Sequence, residues 1–109
     1  MLKNYVKIYI PGTKDVNIPL SRAEKRMAVE NVAAKLSARF GGCTIESVQG
    51  YYTDSTGKLV VENISRAVSF HDHDTESALE FIRSLATELK AEYTQESISI
   101  ETEAGLDFI

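Results

Sequence analysis

The chain has 109 residues, of which 43% are hydrophobic and 26% are charged, and its formal net charge is −4. This balance predicts one globular domain over residues 1–109 and excludes an extended disordered chain. No apolar run is long enough to span a bilayer, and the first ten residues lack a signal-peptide pattern, so we expect a cytoplasmic protein without membrane contact.

The first predicted element is a strand formed by residues 5–10. Three aliphatic side chains alternate there with polar or aromatic ones, and this period of two favours a strand with one buried face. The aliphatic positions are Val6, Ile8 and Ile10. Pro11-Gly12 ends the strand, and a polar loop follows through Asn17 and Pro19.

A helix is predicted over roughly residues 22–40, because both of its ends carry signals. Ser21 and Glu24 have the spacing of a capping box, in which each side chain bonds the other residue's backbone N–H. Gly41-Gly42 supplies a C-cap, since glycine adopts the left-handed conformation at no steric cost. The apolar stripe between these ends comprises Met27, Ala28, Val32, Leu36 and Phe40.

Two strands joined by a polar turn are predicted to form a hairpin. The second strand covers 44–53, where the unequal parity of Ile45 and Val48 indicates a bulge near Ser47. The third strand covers about 58–70 and has apolar residues at both parities, so the sequence leaves its register open.

A second helix starts at an N-cap formed by Asp74 or Thr75 and carries an apolar stripe to Tyr93. A strand over 97–102 and a short edge strand over 106–109 complete the chain. The order β-α-β-β-α-β predicts an α+β, ferredoxin-like two-layer sandwich with antiparallel sheet order 4-1-3-2 and a short C-terminal extra strand.

One face of such a sheet is not covered by helices, and the first strand presents an aromatic and basic set there. This predicted interaction surface comprises Tyr5, Lys7 and Tyr9. If the third strand turns Ile64, Val68 and Phe70 inward, its residues on the open side are Ser65, Ala67 and Ser69. Tyrosines beside small residues favour an interface, so we predict a homodimer or a docked partner protein; a solvated face is the alternative.

Nucleic-acid binding is not expected. RNA-recognition modules share the predicted topology, but the third strand lacks their aromatic, basic and glycine-rich motif. The net acidity of the chain also opposes binding to phosphates.

Basic residues around the start of the first helix form a candidate site for a nucleotide or another anion, because a helix N-terminus and guanidinium groups both attract phosphate. The candidates are Lys14, Arg22, Lys25 and Arg26. A solvated basic surface is the alternative interpretation of the same residues.

No catalytic residue, metal site or cofactor is predicted. His71 and His73 have a spacing that suits a shared metal ion, but no matching set of further ligands is visible in the sequence. Cys43, the one cysteine, is interpreted as a small buried hydrophobe rather than a nucleophile. Fingerprints of phosphate loops, dinucleotide sites and catalytic triads are absent.

Short motifs along about two thirds of the chain form a distinctive pattern: Phe40-Gly41-Gly42-Cys43-Thr44, Gly50-Tyr51-Tyr52, Gly57, Glu62 and Gln95-Glu96-Ser97-Ile98. In this pattern the chain resembles a group of small proteins of unknown function from bacteria, phages and mobile elements. The opening segment 7–11 is similar to members from gut bacteria and their phages. That group often has tryptophan where this chain has Tyr52, and the resemblance brings no catalytic or binding residue to this chain.

The resemblance implies an accessory protein that acts by binding, for instance by inhibiting a host defence system. Together with the uncovered tyrosines, it leads us to expect a non-catalytic interaction protein of phage or mobile-element type. The first alternative is a protein that binds or sequesters a small nucleotide or other anion, and the second is an enzyme of unknown reaction.

Overall fold

The computed structural model describes residues 1–15 and 18–109, so the loop prediction at Asn17 lies outside the described residues. The elements in chain order are β1 (Asn4–Ile10), β2 (Thr13–Lys14), β3 (Ile18–Pro19), α1 (Arg22–Phe40), β4 (Thr44–Thr53), β5 (Leu59–His71), α2 (Thr75–Glu92), β6 (Ser99–Thr102) and β7 (Gly105–Phe108).

The main sheet has five antiparallel strands in the order β4-β5-β1-β6-β7, and the α+β class is therefore confirmed. The first strand is central, and the predicted C-terminal strand, β7, adds to the edge beyond β6. A separate two-stranded ladder pairs β2 with β3 inside the segment predicted as a loop. Both helices pack on the main sheet, α1 over β4 and β5, and α2 over β1 and β6.

The ends of α1 follow from the predicted capping residues. The Glu24 N–H donates to Ser21 Oγ at 3.1 Å, and the Ser21 N–H donates to Glu24 Oε1 at 3.0 Å. Gly41 closes the helix with a φ of 91°, a left-handed value that suits glycine. The buried positions of the helix are Ala28, Val32 and Leu36, whereas Met27, expected in the stripe, is 68% exposed.

The core lies between the helices and one side of the sheet, as the alternation in β1 predicts. The side chains of Val6, Ile8 and Ile10 are almost fully buried there. The opposite side of the sheet, which no described helix covers, is called the open face below. The alternation of β1 places Tyr5, Lys7 and Tyr9 on the open face, where they are half-buried.

The structure gives the parity of β5 that the sequence leaves open. Ala67 pairs with Ile8 and Ser69 with Val6, so these small residues lie beneath the helices and are almost fully buried. The conditional placement with Phe70 inside therefore does not hold, and Phe70 is 53% exposed on the open face. Small side chains on this side of β5 allow the segment that follows α1 to lie close to the sheet. Ser69 Oγ, for example, donates to the Gly42 carbonyl at 2.6 Å.

The predicted bulge near Ser47 is also wrong. One constant register pairs β4 with β5 over the whole of Thr44–Thr53. Ile45 pairs with Ala67 on the helix side, while Val48 pairs with Ile64 on the open side. Their unequal parity therefore reflects two different faces of a regular strand.

Neither helix is long and apolar enough to cross a bilayer in the part of the chain that the structure describes.

Candidate functional site

The tyrosines predicted to contact a partner are bonded within the chain to one carboxylate of β6. Tyr5 Oη donates to Glu101 Oε2 at 3.4 Å, and Tyr9 Oη donates to Glu101 Oε1 at 3.1 Å. Lys7 Nζ lies 3.7 Å from Glu101 Oε2. The polar tips of the predicted interaction surface thus converge on Glu101, and much of their bonding capacity is already used.

A second ion pair extends this network across the open face. Arg66 of β5 donates to Glu46 Oε2 at 2.9 Å and to Tyr9 Oη at 3.3 Å. The hydrogen bond from Arg66 holds the pKa of Glu46 below its usual value, and the same bond raises the pKa of Arg66. The centre of the open face is therefore a connected and largely satisfied polar network.

The basic residues proposed for anion binding occupy different environments around the start of α1. Lys14 Nζ pairs with Glu24 Oε2 at 2.8 Å, and this hydrogen bond, together with those from Ser21, lowers the pKa of Glu24 to about 2. Arg22 and Arg26 are exposed on the helix. Lys25, also exposed, lines a cavity at the end of β1 that is described below.

The two histidines pack around an aromatic side chain. The Phe40 ring centroid lies 4.9 Å from that of His71 and 5.3 Å from that of His73. His71 is 2% exposed, and its Nδ1 accepts a hydrogen bond from the His73 N–H at 3.1 Å. No group of three metal-ligating side chains occurs among the described residues.

Cys43 is half-buried and packs beside the core. Burial raises the pKa of its thiol above the ordinary value, although hydrogen bonds from neighbouring groups act in the opposite direction. A raised pKa disfavours the thiolate, which is the nucleophilic form. The interpretation of Cys43 as a packing residue agrees with this environment.

A notch opens where β1 ends and its neighbours continue. The ladder between β1 and β5 stops at Ile10 and Ser65, because Pro11-Gly12 turns the chain away. Residues 59–64 of β5 run on, paired only with β4, and form a projecting hairpin arm. Between this arm and the segment before β6 lies a cavity of about 540 Å³, called the notch below.

The walls of the notch carry aromatic rings, carboxylates and one lysine. Tyr9 and Tyr52 supply the rings, Glu62 and Glu96 supply the carboxylates, and Lys25 reaches in from α1. Glu62 and Glu96 are exposed, and neither forms an ion pair within the described residues. These carboxylates are available to a ligand, in contrast to Glu101 on the open face.

The composition of the notch suits a medium-sized ligand with a planar ring and positive charge. Its volume lies within the range of small-molecule pockets. Tyrosine rings stack on planar groups and attract cations at their faces, and unpaired carboxylates add a direct charge attraction. A single lysine provides a partner for a negative group on the same ligand.

Three of these residues belong to a motif pattern in the sequence, but the pattern alone indicates no function for them. Tyr52, Glu62 and Glu96 occur in the pattern that carries the resemblance to small phage and bacterial proteins, but Glu62 follows the turn by only five residues and Glu96 lies far along the chain. Their common membership of this pattern is the signal that the sequence offers. The residues form a candidate site only because the early end of β1 leaves the segments of Glu62 and Glu96 on opposite walls of one notch.

The fold and the notch together define a small two-layer α+β domain with a ligand-sized recess at the end of its central strand. Two solved structures share the fold. A phage SAM lyase in its apo state has a TM-score of 0.71 and 19% identity, over 99% of this chain and 89% of that chain. A phage SAM lyase in complex with S-methyl-5'-thioadenosine has a TM-score of 0.71 and 17% identity, over 97% and 88%.

No family model matches the chain, and no curated protein matches it. The similarity to the two lyase structures extends over nearly the whole domain and concerns the fold. It nevertheless overturns the expectation of a non-catalytic interaction protein, because the fold neighbours are enzymes. The accompanying ranking of an enzyme below a non-catalytic protein is wrong for the same reason.

Proposed function

We propose that the chain is a lyase that acts on S-adenosylmethionine (SAM), and that the notch is its substrate site. The observation that carries the proposal is the aromatic and acidic lining of the notch, in a fold that a SAM lyase shares. That lyase has been solved with S-methyl-5'-thioadenosine, the thioether that remains when SAM loses its amino-acid portion.

The groups of SAM match the groups of the notch. SAM carries a purine, a sulfonium and an ammonium, and the last two are positively charged. Glu62 and Glu96 attract these cations, while Tyr9 and Tyr52 offer ring faces to the purine or the sulfonium. Lys25 is the complementary partner for the substrate carboxylate.

The proposed reaction breaks the bond between the sulfur and the γ-carbon of the amino-acid portion. The electron pair of that bond moves to sulfur, so the thioether leaves as a neutral molecule. Either the carboxylate of the amino-acid portion closes on the γ-carbon, which releases no proton, or a base removes a β-proton as the bond to sulfur breaks, which releases one; neither route consumes water. Glu62 and Glu96 are the carboxylates placed to orient the substrate for ring closure or to receive the β-proton of the elimination.

Product release follows from the same electrostatics. The sulfonium is positive before cleavage and the thioether is neutral afterwards, so the attraction of the carboxylates for the sulfur disappears. The notch is also open to solvent along one side, which leaves a path for the product. We therefore expect S-methyl-5'-thioadenosine to bind more weakly than SAM.

Incubation of the purified chain with SAM, followed by chromatography and mass spectrometry, tests the proposal. The expected result is the enzyme-dependent formation of S-methyl-5'-thioadenosine, with no turnover of S-adenosylhomocysteine, which lacks the sulfonium. A folded chain that neither releases this thioether from SAM nor binds it in calorimetry would overturn the proposal. Nuclear magnetic resonance of the second product then separates ring closure from elimination.

Two finer assignments accompany this function. We propose that the chain belongs to the group of phage and bacterial small proteins that its motifs resemble, which is supported by the position of Tyr52, Glu62 and Glu96 around one notch. We also assign the sandwich to the ferredoxin-like class with sheet order 4-1-3-2, supported by the neighbours that each main strand has.

We further propose that the chain forms a homodimer through the open face. Phe70, Leu106 and Phe108 are each more than half exposed, and their strand pairing places them on this face. Exposed aromatic and aliphatic side chains of this number favour a protein contact. Sedimentation of the wild type and of Phe70→Ser tests this: we expect a dimer that the substitution weakens, and a wild-type monomer at high concentration would refute it.

A further inference from the structure

We propose that Gln95 is a positioning residue that fixes two lining segments of the notch, 12–13 and 95–99, relative to each other and thereby sets the affinity of the notch for ligand. This inference rests on the proposed function for its ligand and on hydrogen bonds for its geometry. Gln95 Nε2 donates to the carbonyl oxygen of Thr13 at 2.9 Å and to that of Tyr93 at 2.9 Å. Its Oε1 accepts from Thr13 Oγ1 at 3.5 Å.

The two segments that Gln95 joins lie outside the main sheet and outside both helices. The segment at Thr13 belongs to a two-residue strand, and the segment at Tyr93 follows the last residue of α2. Asp15 and Thr94 have φ values of 47° and 48°, a left-handed conformation that costs energy in residues other than glycine. Both segments also border the notch, through Gly12-Thr13 on one side and residues 95–99 on the other.

One backbone hydrogen bond joins the same two segments as the side chain of Gln95. The Asp15 N–H donates to the Tyr93 carbonyl at 3.1 Å, so Tyr93 O accepts from both Asp15 and Gln95. The side chain of Gln95 is half-buried, which limits replacement of these bonds by water. The amide group therefore acts as the main clamp between the 12–15 and 93–97 segments.

A carboxylate at this position cannot reproduce the clamp. The change Gln95→Glu keeps the shape of the side chain but replaces the Nε2 donor with an oxygen that faces two carbonyl oxygens. Both donated hydrogen bonds are lost, and like partial charges meet. The 12–15 and 93–97 segments should separate. The core residues beneath α1 and α2 should stay in place, because Gln95 contributes no apolar packing there.

The experiment compares wild type, Gln95→Glu and a control, Thr87→Val. The control removes one side-chain bond to a backbone carbonyl, Thr87 Oγ1 to Arg83 O at 2.9 Å, on α2 and outside the notch. Three quantities are measured: exchange of the Asp15 amide hydrogen, the dissociation constant of S-methyl-5'-thioadenosine, and KM and kcat for SAM.

For Gln95→Glu we expect about tenfold faster exchange at Asp15, an increase of about tenfold in the dissociation constant, and an increase in KM that exceeds any fall in kcat. The control should resemble wild type in all three. Unchanged exchange at Asp15, or a fall in kcat with KM unaltered, would overturn the positioning role. If wild type neither binds nor cleaves, the proposed function fails, whereas the exchange rate at Asp15 still decides the clamp.

Discussion

The open face and the notch belong to the same sheet but differ in whether their polar side chains already have hydrogen-bond or ion-pair partners within the chain. On the open face, Tyr5, Lys7 and Tyr9 all contact Glu101, so the tyrosine hydroxyls and the lysine already have partners. In the notch, the carboxylates of Glu62 and Glu96 form no ion pair with any described residue. The surface predicted from residue types therefore has most of its polar groups bonded within the chain, whereas the carboxylates of the notch are exposed to solvent.

Tyr9 connects the two regions, since it contacts Glu101 and Arg66 on the open face and also lines the notch. Its hydroxyl is fixed by two charged groups, which orients the ring at the edge of the notch. The network on the open face thus has a structural role for the site. The predictions below separate the two regions, beginning with the largest expected effect.

The largest effect is expected from removing the charge of the notch. The double change Glu62→Gln and Glu96→Gln should lower the rate of SAM cleavage by about 100-fold or more, because it removes both carboxylates available for orientation and proton transfer. The measurement is the initial rate of S-methyl-5'-thioadenosine formation. Glu103→Gln, which neutralises a carboxylate outside the notch, is the matched control, and an equal loss there would refute the distinction.

The next effect tests which side of β5 faces the helices. Ala67→Leu should lower the free energy of unfolding by about 1–3 kcal/mol, because the added atoms enter a filled space beneath α1. Phe70→Leu, on the open face, should change it by less than about 0.5 kcal/mol. Chemical denaturation measures both values. A larger loss for Phe70→Leu would favour the opposite parity.

A smaller effect is expected from the aromatic wall. Tyr52→Ala should weaken the binding of S-methyl-5'-thioadenosine by about tenfold, since a stacked aromatic ring contributes about 1 kcal/mol beyond its buried area. The neighbouring Tyr51 is 60% exposed and outside the notch lining, so Tyr51→Ala should bind as wild type does. Calorimetric titration provides the comparison, and identical affinities of the two variants would exclude stacking on Tyr52.

The smallest effect concerns the start of α1, which also carries Lys25. The hydrogen bond from Lys14 and those from Ser21 lower the pKa of Glu24 from 4.5 to about 2. Because the pKa of Glu24 is lower in the folded state, its ionised carboxylate stabilises the fold at pH values above the ordinary pKa of 4.5. This contribution is lost as the pH falls from 4.5 towards 2. The melting temperature of wild type should exceed that of Glu24→Gln at pH 6, and the difference should shrink over that interval; a constant difference would contradict the ion pair.

Much of the fold could be predicted because its signals are local. The capping box of Ser21 and Glu24, the closing Gly41 and the alternation in β1 each depend on neighbouring residues, and the structure places α1 and β1 accordingly. The face of β5 could not be predicted, since apolar residues occur at both parities. Only the pairing of Ala67 with Ile8, across the sheet, determines which set meets the helices.

The notch could not be predicted from local patterns, because it is defined by where a strand stops. Pro11-Gly12 predicts the end of β1, but the notch also requires residues 59–64 of β5 to extend past that end and the chain to return there at Gln95. These segments lie far apart in sequence. The charges of Glu62 and Glu96 indicate a candidate site only because both residues line one cavity.

The central claim is that ligand binds in the notch, at the end of β1, and not over Tyr5, Lys7 and Glu101 on the open face. Titration of the ¹⁵N-labelled chain with S-methyl-5'-thioadenosine, followed by amide chemical shifts, tests it most directly. We predict the largest shift changes at Gly12, Glu62 and Ser97, with little change at Lys7 and Phe70. Changes concentrated around Lys7 and Phe70, or none at saturating thioether, would contradict the account.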